Sequence, residues 1–246
     1  MSDEEKSEKK WPYFAPFELV THNRPDDCWV SFLGKVFNVS QVIQLHAGER
    51  CIKPLLTMAG KDISHWFDEK TGDIQHYIHP ETGCNVPYCP HGPIPDVSVP
   101  IPATDWRPLG RPPWWHDEQY QIGLLTKRVR PLRVINMICP FTREVLINVC
   151  CEDTFWTIQE RYMAFNSDAD CYTWRYLGEN LDMNKTMAEN GIPDERDKFT
   201  DLGLSQNYYV PSVSLYYNDN LKCLGSDDDK CPSIPSKIVC NTVMLH

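Results

Sequence analysis

The chain has 246 residues, enough for one large domain or two small ones, and 24 Lys and Arg against 34 Asp and Glu leave a net charge of −10, which argues against a surface that tracks nucleic-acid phosphates. The N-terminal MSDEEKSEKKW is charged with no apolar run behind it, and no segment reaches the ~18 apolar residues of a membrane span, so a soluble, intracellular chain with no membrane partner is expected. Eleven cysteines, an odd number spread along the whole length without a secretion signal, read as mostly reduced thiols.

Residues 1–11 mix Ser, Glu and Lys without hydrophobic period and are expected to form a disordered tail. From 12 to 82 the composition is that of a folded domain. DCWVSFLGKVFNVS reads as two short strands joined at Leu33-Gly34-Lys35, and Ser40 is expected to cap a helix carrying Val42, Ile43 and Leu45. Between Pro80 and Pro113 lie ten of the twenty prolines, which fix φ and remove backbone donors, so residues 83–130 are expected to be a linker or an extended arm. Trp114 and Trp115 in PPWWHDEQYQIGLL are amphipathic anchors of the kind that dominate interfaces, and packing on the chain's own domains is the alternative.

Order returns over 131–220. LRVINMI and REVLINV flank Cys139-Pro-Phe-Thr like a hairpin. EDTFWTIQERYMAF then offers Asp153 or Thr154 as cap and places Phe155, Ile158, Tyr162 and Phe165 at helical spacing. CYTWRYLG is a strand, NLDMNKTMAENGI a turn with a short helical piece ended by Gly191, and VPSVSLYYN a last strand. Residues 221–246 read as a tail. The expected class is α+β, in two small domains.

The residues that bear chemistry are His46, His65, His76 and His79, with Cys84, Cys89 and His91. A haem held between two imidazoles needs one histidine from each of two facing loops and an apolar pocket. FAPFELVTHN, WVSFLGKVFNVS, HAGE and AGKDISHWF resemble, in this order, the cytochrome b5 haem-binding domain. Trp29, Gly34, Lys35, Val36, Phe37, His46, Gly48, Ala59, Gly60, Asp62 and Phe67 stand at matching positions over about seventy residues.

In that family the first ligand lies in His-Pro-Gly-Gly, and this chain has His46-Ala47-Gly48-Glu49. The second ligand follows the matching phenylalanine by five residues, and here that place is Gly72. His76 or His79 would have to substitute through a longer loop, which works against a pre-organised site. No cofactor is therefore expected, and haem with axial candidates His46, His76 and His79 is the alternative. Without haem the pocket must be filled, and Leu45, Ile52, Leu55, Leu56, Met58, Trp66 and Phe67 are the expected fillers. His65, on a helical start, reads as packing or capping. Zinc bound by Cys84, Cys89, His91 and one of His76 or His79 is a weaker alternative, since the spacing is not a recognised finger. Cys150 and Cys151, adjacent on a strand, face opposite sides and form no CxxC redox pair, and no cysteine stands beside a histidine in a nucleophile context.

RVINMICPFTREVLINVCCEDTFWTIQERY followed by YTWRYLGENLDMNKTMAENGI resembles a ubiquitin-like β-grasp domain. No Gly-Gly follows the last strand, so ubiquitin-type conjugation is not expected. A cytochrome-b5-like domain, a proline-rich arm and a ubiquitin-like domain together resemble a family of ciliary and flagellar axonemal proteins. That resemblance implies a redox-responsive structural component of the axoneme, partnered by radial-spoke and other axonemal proteins; no catalytic constellation accompanies the haem candidates, so enzymatic turnover is not expected.

Overall fold

The computed structural model describes residues 10–97, 110–138 and 144–217; the expected terminal tails, apart from Lys10 and Trp11, and the Cys139-Pro-Phe-Thr turn lie outside these residues. In chain order the first strands and helix are β1 (Tyr13–Phe14), α1 (Pro16–Thr21), β2 (Asn23–Arg24), β3 (Asp27–Phe32) and β4 (Lys35–Asn38). β3 and β4 form the expected hairpin, with Trp29 opposite Asn38 and Phe32 opposite Lys35. Leu33 (φ 47°) and Gly34 (φ 76°) both take positive φ, as the primed two-residue turn that suits strand twist requires. Cys28, Val30 and Phe32 are buried.

The Ala59-Gly60-Lys61-Asp62 stretch lies along β3: Gly60 N–H donates to the Trp29 carbonyl at 2.8 Å and Ile63 N–H to the Ser31 carbonyl at 2.8 Å. A Cβ at Gly60 would stand 2.9 Å from the Leu19 carbonyl oxygen, so only glycine lets α1 approach. Two helices follow, α2 (Ser40–Leu45) and α3 (Lys53–Thr57). Ser40 does not cap α2; it is the first helical residue. Its hydroxyl accepts from Cys28 N–H at 2.9 Å, while Asn38 Oδ1 accepts from Ser40 N–H at 3.1 Å.

Of the arm expected over 83–130, described residues 83–97 and 110–125 instead pack with the first fold. A hairpin pairs β5 (His76–Ile78) with β6 (Asn85–Pro87) inside that span, and β7 (Gln121–Leu125) inserts between β1 and β4 to give the order β1-β7-β4-β3-β2. Gly123 permits this, since a Cβ there would stand 2.5 Å from both Phe14 and the Pro12 carbonyl oxygen. Ile94, Trp114, Trp115 and Tyr120 join the core beneath that sheet. Proline prevents long regular strands but does not prevent burial of the side chains that it separates. That is why the composition reads as a linker while the segment packs as core.

Only Thr126–Arg128 separate β7 from β8 (Val129–Asn136), which opens the second sheet. There β9 (Glu144–Cys150), α4 (Phe155–Tyr162), β10 (Tyr172–Tyr176), β11 (Glu179–Asn180), α5 (Arg196–Asp201) and β12 (Ser212–Tyr217) follow. The strand order is β11-β10-β12-β8-β9, with β12 parallel to β8 and the hairpin β8–β9 antiparallel. A hairpin, a crossing helix and a last strand parallel to the first define a β-grasp. Phe155, Ile158 and Tyr162 of α4 are buried against Leu132, Val149, Trp174 and Leu215. The expected helix is shorter than its pattern, since Phe165 lies beyond it and is exposed. The NLDMNKTMAENGI stretch holds turns rather than a helical piece, and α5 arises in a stretch whose charge hides any period.

Arg161 on α4 fastens the two folds together. Its guanidinium pairs with Glu18 of α1, donates to the Tyr13 carbonyl at 3.0 Å, and holds the buried Asp153 carboxylate at 2.7 Å. Asp153, offered by the sequence as a helix cap, accepts from Cys150 N–H at 2.9 Å. At the link itself, Glu152 accepts from the Thr126 hydroxyl at 2.6 Å and from Lys127 N–H at 3.1 Å. Removing one partner of a buried pair leaves the other charge uncompensated. Arg161→Ala is accordingly expected to cost about 3 to 5 kcal/mol in urea unfolding, and Glu18→Gln much less because Asp153 keeps its partner; equal stability of Arg161→Ala and the parent chain would contradict this coupling.

Candidate functional site

α2 ends at Leu45, and His46 takes its C-cap. Glu49 N–H donates to the His46 carbonyl at 3.0 Å and Gly48 turns the chain at φ 88°, so the backbone folds back on itself. This brings Glu49 Oε2 to 3.0 Å from His46 Nδ1, and the Cys51 thiol donates to the same oxygen at 3.2 Å. Ligand atoms of all three residues lie within 4.8 Å of one another, and among the described residues no other His, Cys, Asp and Glu side chains gather three donors so closely. Burial, and then the Glu49 carboxylate, push the Cys51 thiol up to about 11. Hydrogen bonds from Cys51 and His46 hold the Glu49 carboxyl below its usual range. Sequence reasoning found His46 but missed Glu49 and Cys51, although His-x-x-Glu-x-Cys across a glycine turn carried the signal.

The other histidines are elsewhere. His76 lies exposed on β5 with Nδ1 against the Ile74 carbonyl at 2.7 Å, and His79 Nδ1 accepts from the backbone N–H groups of Glu81 and Thr82 at 3.3 and 3.4 Å. Neither belongs to the His46 cluster. Gly72, the family's second-ligand position, sits at φ 70° in a turn closed by its N–H on the Asp68 carbonyl at 2.8 Å. The zinc set is not assembled: the His91 ring packs on Trp66 and His65, with centroids 5.8 and 5.6 Å apart, and Cys84 and Cys89 join no three-donor group.

An aromatic core underlies the first fold. Phe32 stacks on Phe37 and Phe67 at 4.5 and 4.2 Å. Trp114, fully buried, sets its edge against all three at 6.0, 6.2 and 6.5 Å. Trp115 packs on Trp114 and Phe67 and donates its indole N–H to Asp73 at 2.8 Å. Asp96 fixes the turn by accepting from Trp114 N–H at 3.0 Å. Both tryptophans offered as interface anchors are thus core residues, because prolines 112 and 113 stiffen the approach and the Phe triad offers apolar surface to cover. Of the expected fillers, Leu55, Trp66 and Phe67 are buried, Ile52, Leu56 and Met58 are partly so, and Leu45 is 67% exposed. The residues present do not fit bis-histidine haem: one imidazole faces its own carboxylate, and the substitutes lie on an exposed hairpin.

A model of the cytochrome b5-like haem/steroid-binding domain matches residues 16–83. Cytochrome b5 domain-containing protein 1 of Xenopus laevis is 41% identical over 210 residues, which cover 85% of this chain and 95% of that protein. The chain belongs to the cytochrome b5 domain-containing protein 1 family. The Homo sapiens member of the family is 41% identical with 85% of this chain and 91% of its own length covered. L-lactate dehydrogenase (cytochrome) of Saccharomyces cerevisiae is 27% identical over 113 residues, which cover 40% of this chain and 19% of that protein. A solved ubiquitin of Caldiarchaeum subterraneum covers 37% of the chain at 12% identity and a TM-score of 0.26, and the β-grasp assignment rests on the strand order rather than on that likeness.

One concavity in the β-grasp fold is lined by Arg130, Asp194, Glu195, Arg196 and Tyr209. Its polar groups are spent on structure: Arg130 donates to the Ile192 and Pro193 carbonyls, and Arg196 clamps Asp194 at 2.7 Å. The Arg196 guanidinium holds the Asp194 carboxyl down to about 2. A depressed carboxyl stabilises the fold above its unfolded pKa of about 3.9 and loses that contribution as pH falls through the folded value. Asp194→Asn should therefore flatten the acid-unfolding curve between about pH 4 and pH 2, with fluorescence as the readout and an unaltered curve as the contrary result. For the first fold, Trp114→Ala is expected to cost about 3 to 5 kcal/mol of stability; a surface anchor would leave the unfolding midpoint where it was.

Proposed function

We propose that this chain is a non-enzymatic docking component of the ciliary axoneme, associated with the radial spokes and responsive to redox state. In this reading the b5 fold serves packing and docking rather than haem carriage. The observation that carries it is the closure of the Phe32, Phe37 and Phe67 surface by Trp114, together with Gly72 at the second-ligand position. Ciliary location and spoke partners come from the resemblance to axonemal proteins, and the net charge of −10 supports protein rather than nucleic-acid partners. Tagged full-length chain in ciliated cells is expected to stay with detergent-extracted axonemes and to leave with the spoke proteins on salt extraction. A uniformly cytosolic, fully detergent-soluble pool would overturn the assignment.

A haem electron carrier of the b5 type is the second reading, favoured by the family-model match over residues 16–83 and by the retained His46. The purified chain incubated with haemin is expected to show no stoichiometric six-coordinate Soret spectrum. One haem per chain, released by His46→Ala, would establish the carrier instead.

A further inference from the structure

We propose that His46, Glu49 and Cys51 form a three-ligand site for a borderline-soft divalent cation of the Zn2+ class, with water completing the coordination. Three donor types converge here: an imidazole nitrogen, a carboxylate oxygen and a thiol sulfur, the set such cations select over Mg2+ and Ca2+. Metal–ligand bonds of about 2.0 to 2.3 Å in a tetrahedron place donors roughly 3.3 to 3.7 Å apart. The observed contacts of 3.0 Å from His46 Nδ1 to Glu49 Oε2 and 3.2 Å from Cys51 Sγ to the same oxygen are a few tenths shorter. With all three ligand atoms within 4.8 Å of one another, small side-chain adjustments bring them to that spacing, and the backbone turn is already closed by the Glu49 N–H bond to His46.

In the metal-free chain, protons hold the cluster together, since Glu49 accepts from both neighbours. On binding, the Cys51 thiol releases its proton to solvent, His46 carries its proton on Nε2 and coordinates through Nδ1, and Glu49 stays ionised. Two anionic ligands then neutralise the dication, and no redox step is involved. The site is partly open, with the His46 side chain 24% and that of Glu49 59% exposed, which leaves the fourth position to water. This inference is independent of the docking proposal, although a haem bound through His46 would compete for the same imidazole.

The test uses the full chain, stripped with chelator and titrated with Co2+ as the spectroscopic stand-in, then with Zn2+. One equivalent of Co2+ should give a thiolate-to-metal charge-transfer band that Zn2+ abolishes. Cys51→Ser should remove the band, and Glu49→Gln and His46→Ala should each weaken binding about tenfold or more. Cys84→Ser and Cys89→Ser should leave it unchanged, and circular dichroism checks that each variant is folded. A band that survives Cys51→Ser, a band lost in Cys84→Ser, or no band with Co2+ in excess would each overturn the site.

Discussion

The first fold depends on one requirement: the aromatic surface made by Phe32, Phe37 and Phe67 must be covered. Two β3–β4 side chains and one from the segment after Asp62 stack face to face, and stacked rings leave an apolar wall that water solvates poorly. Trp114 covers it edge-on, the geometry that aromatic quadrupoles favour. Contacts among the described residues on either side bring that ring into place. Asp96 accepts from the Trp114 amide, Asp73 takes the Trp115 indole, and β7 closes the sheet immediately afterwards. In this chain the cover comes from the chain's own Trp114.

The same economy governs the junction. A buried carboxylate at Asp153 would be costly alone, and the side chain that neutralises it, Arg161, also reaches Glu18 and the Tyr13 carbonyl of the other fold. Satisfying one polar group inside the β-grasp thereby fixes its contact with the b5-like fold. Among the described residues Cys171 is disulfide-bonded, and the free thiols outside the His46 cluster add little chemistry to this arrangement. Burial pushes Cys28 and Cys150 up to about 12, well away from the thiolate that reacts.

Local signals carried the parts of the fold that local rules decide. Leu33-Gly34 specified a primed turn, Gly60 a close approach, and the alternation of LRVINMI and REVLINV the β8–β9 hairpin. The two-domain resemblance was legible in the same way, from short motifs in order. What stayed hidden was decided by partners far away in sequence. Proline content said nothing of where Trp114 would point, and the Phe triad that receives it begins about eighty residues earlier at Phe32. Leu45 reads as a filler and, as the last residue of α2, is exposed. At the candidate site, His46 was visible through the family motif, whereas Glu49 and Cys51 entered only once the Gly48 turn had closed the backbone.

The three-residue connection at Thr126–Arg128 also has a mechanical meaning. Fully extended, three residues span only about 10 Å, so tension on either fold reaches the other almost without slack. The strands it joins are both interior: β7 lies between β1 and β4, and β8 between β12 and β9. A pull along this axis loads rows of hydrogen bonds on both sides of each strand in shear, rather than peeling an edge strand one bond at a time. The two folds are thus joined, with almost no slack, through an interior strand of each sheet.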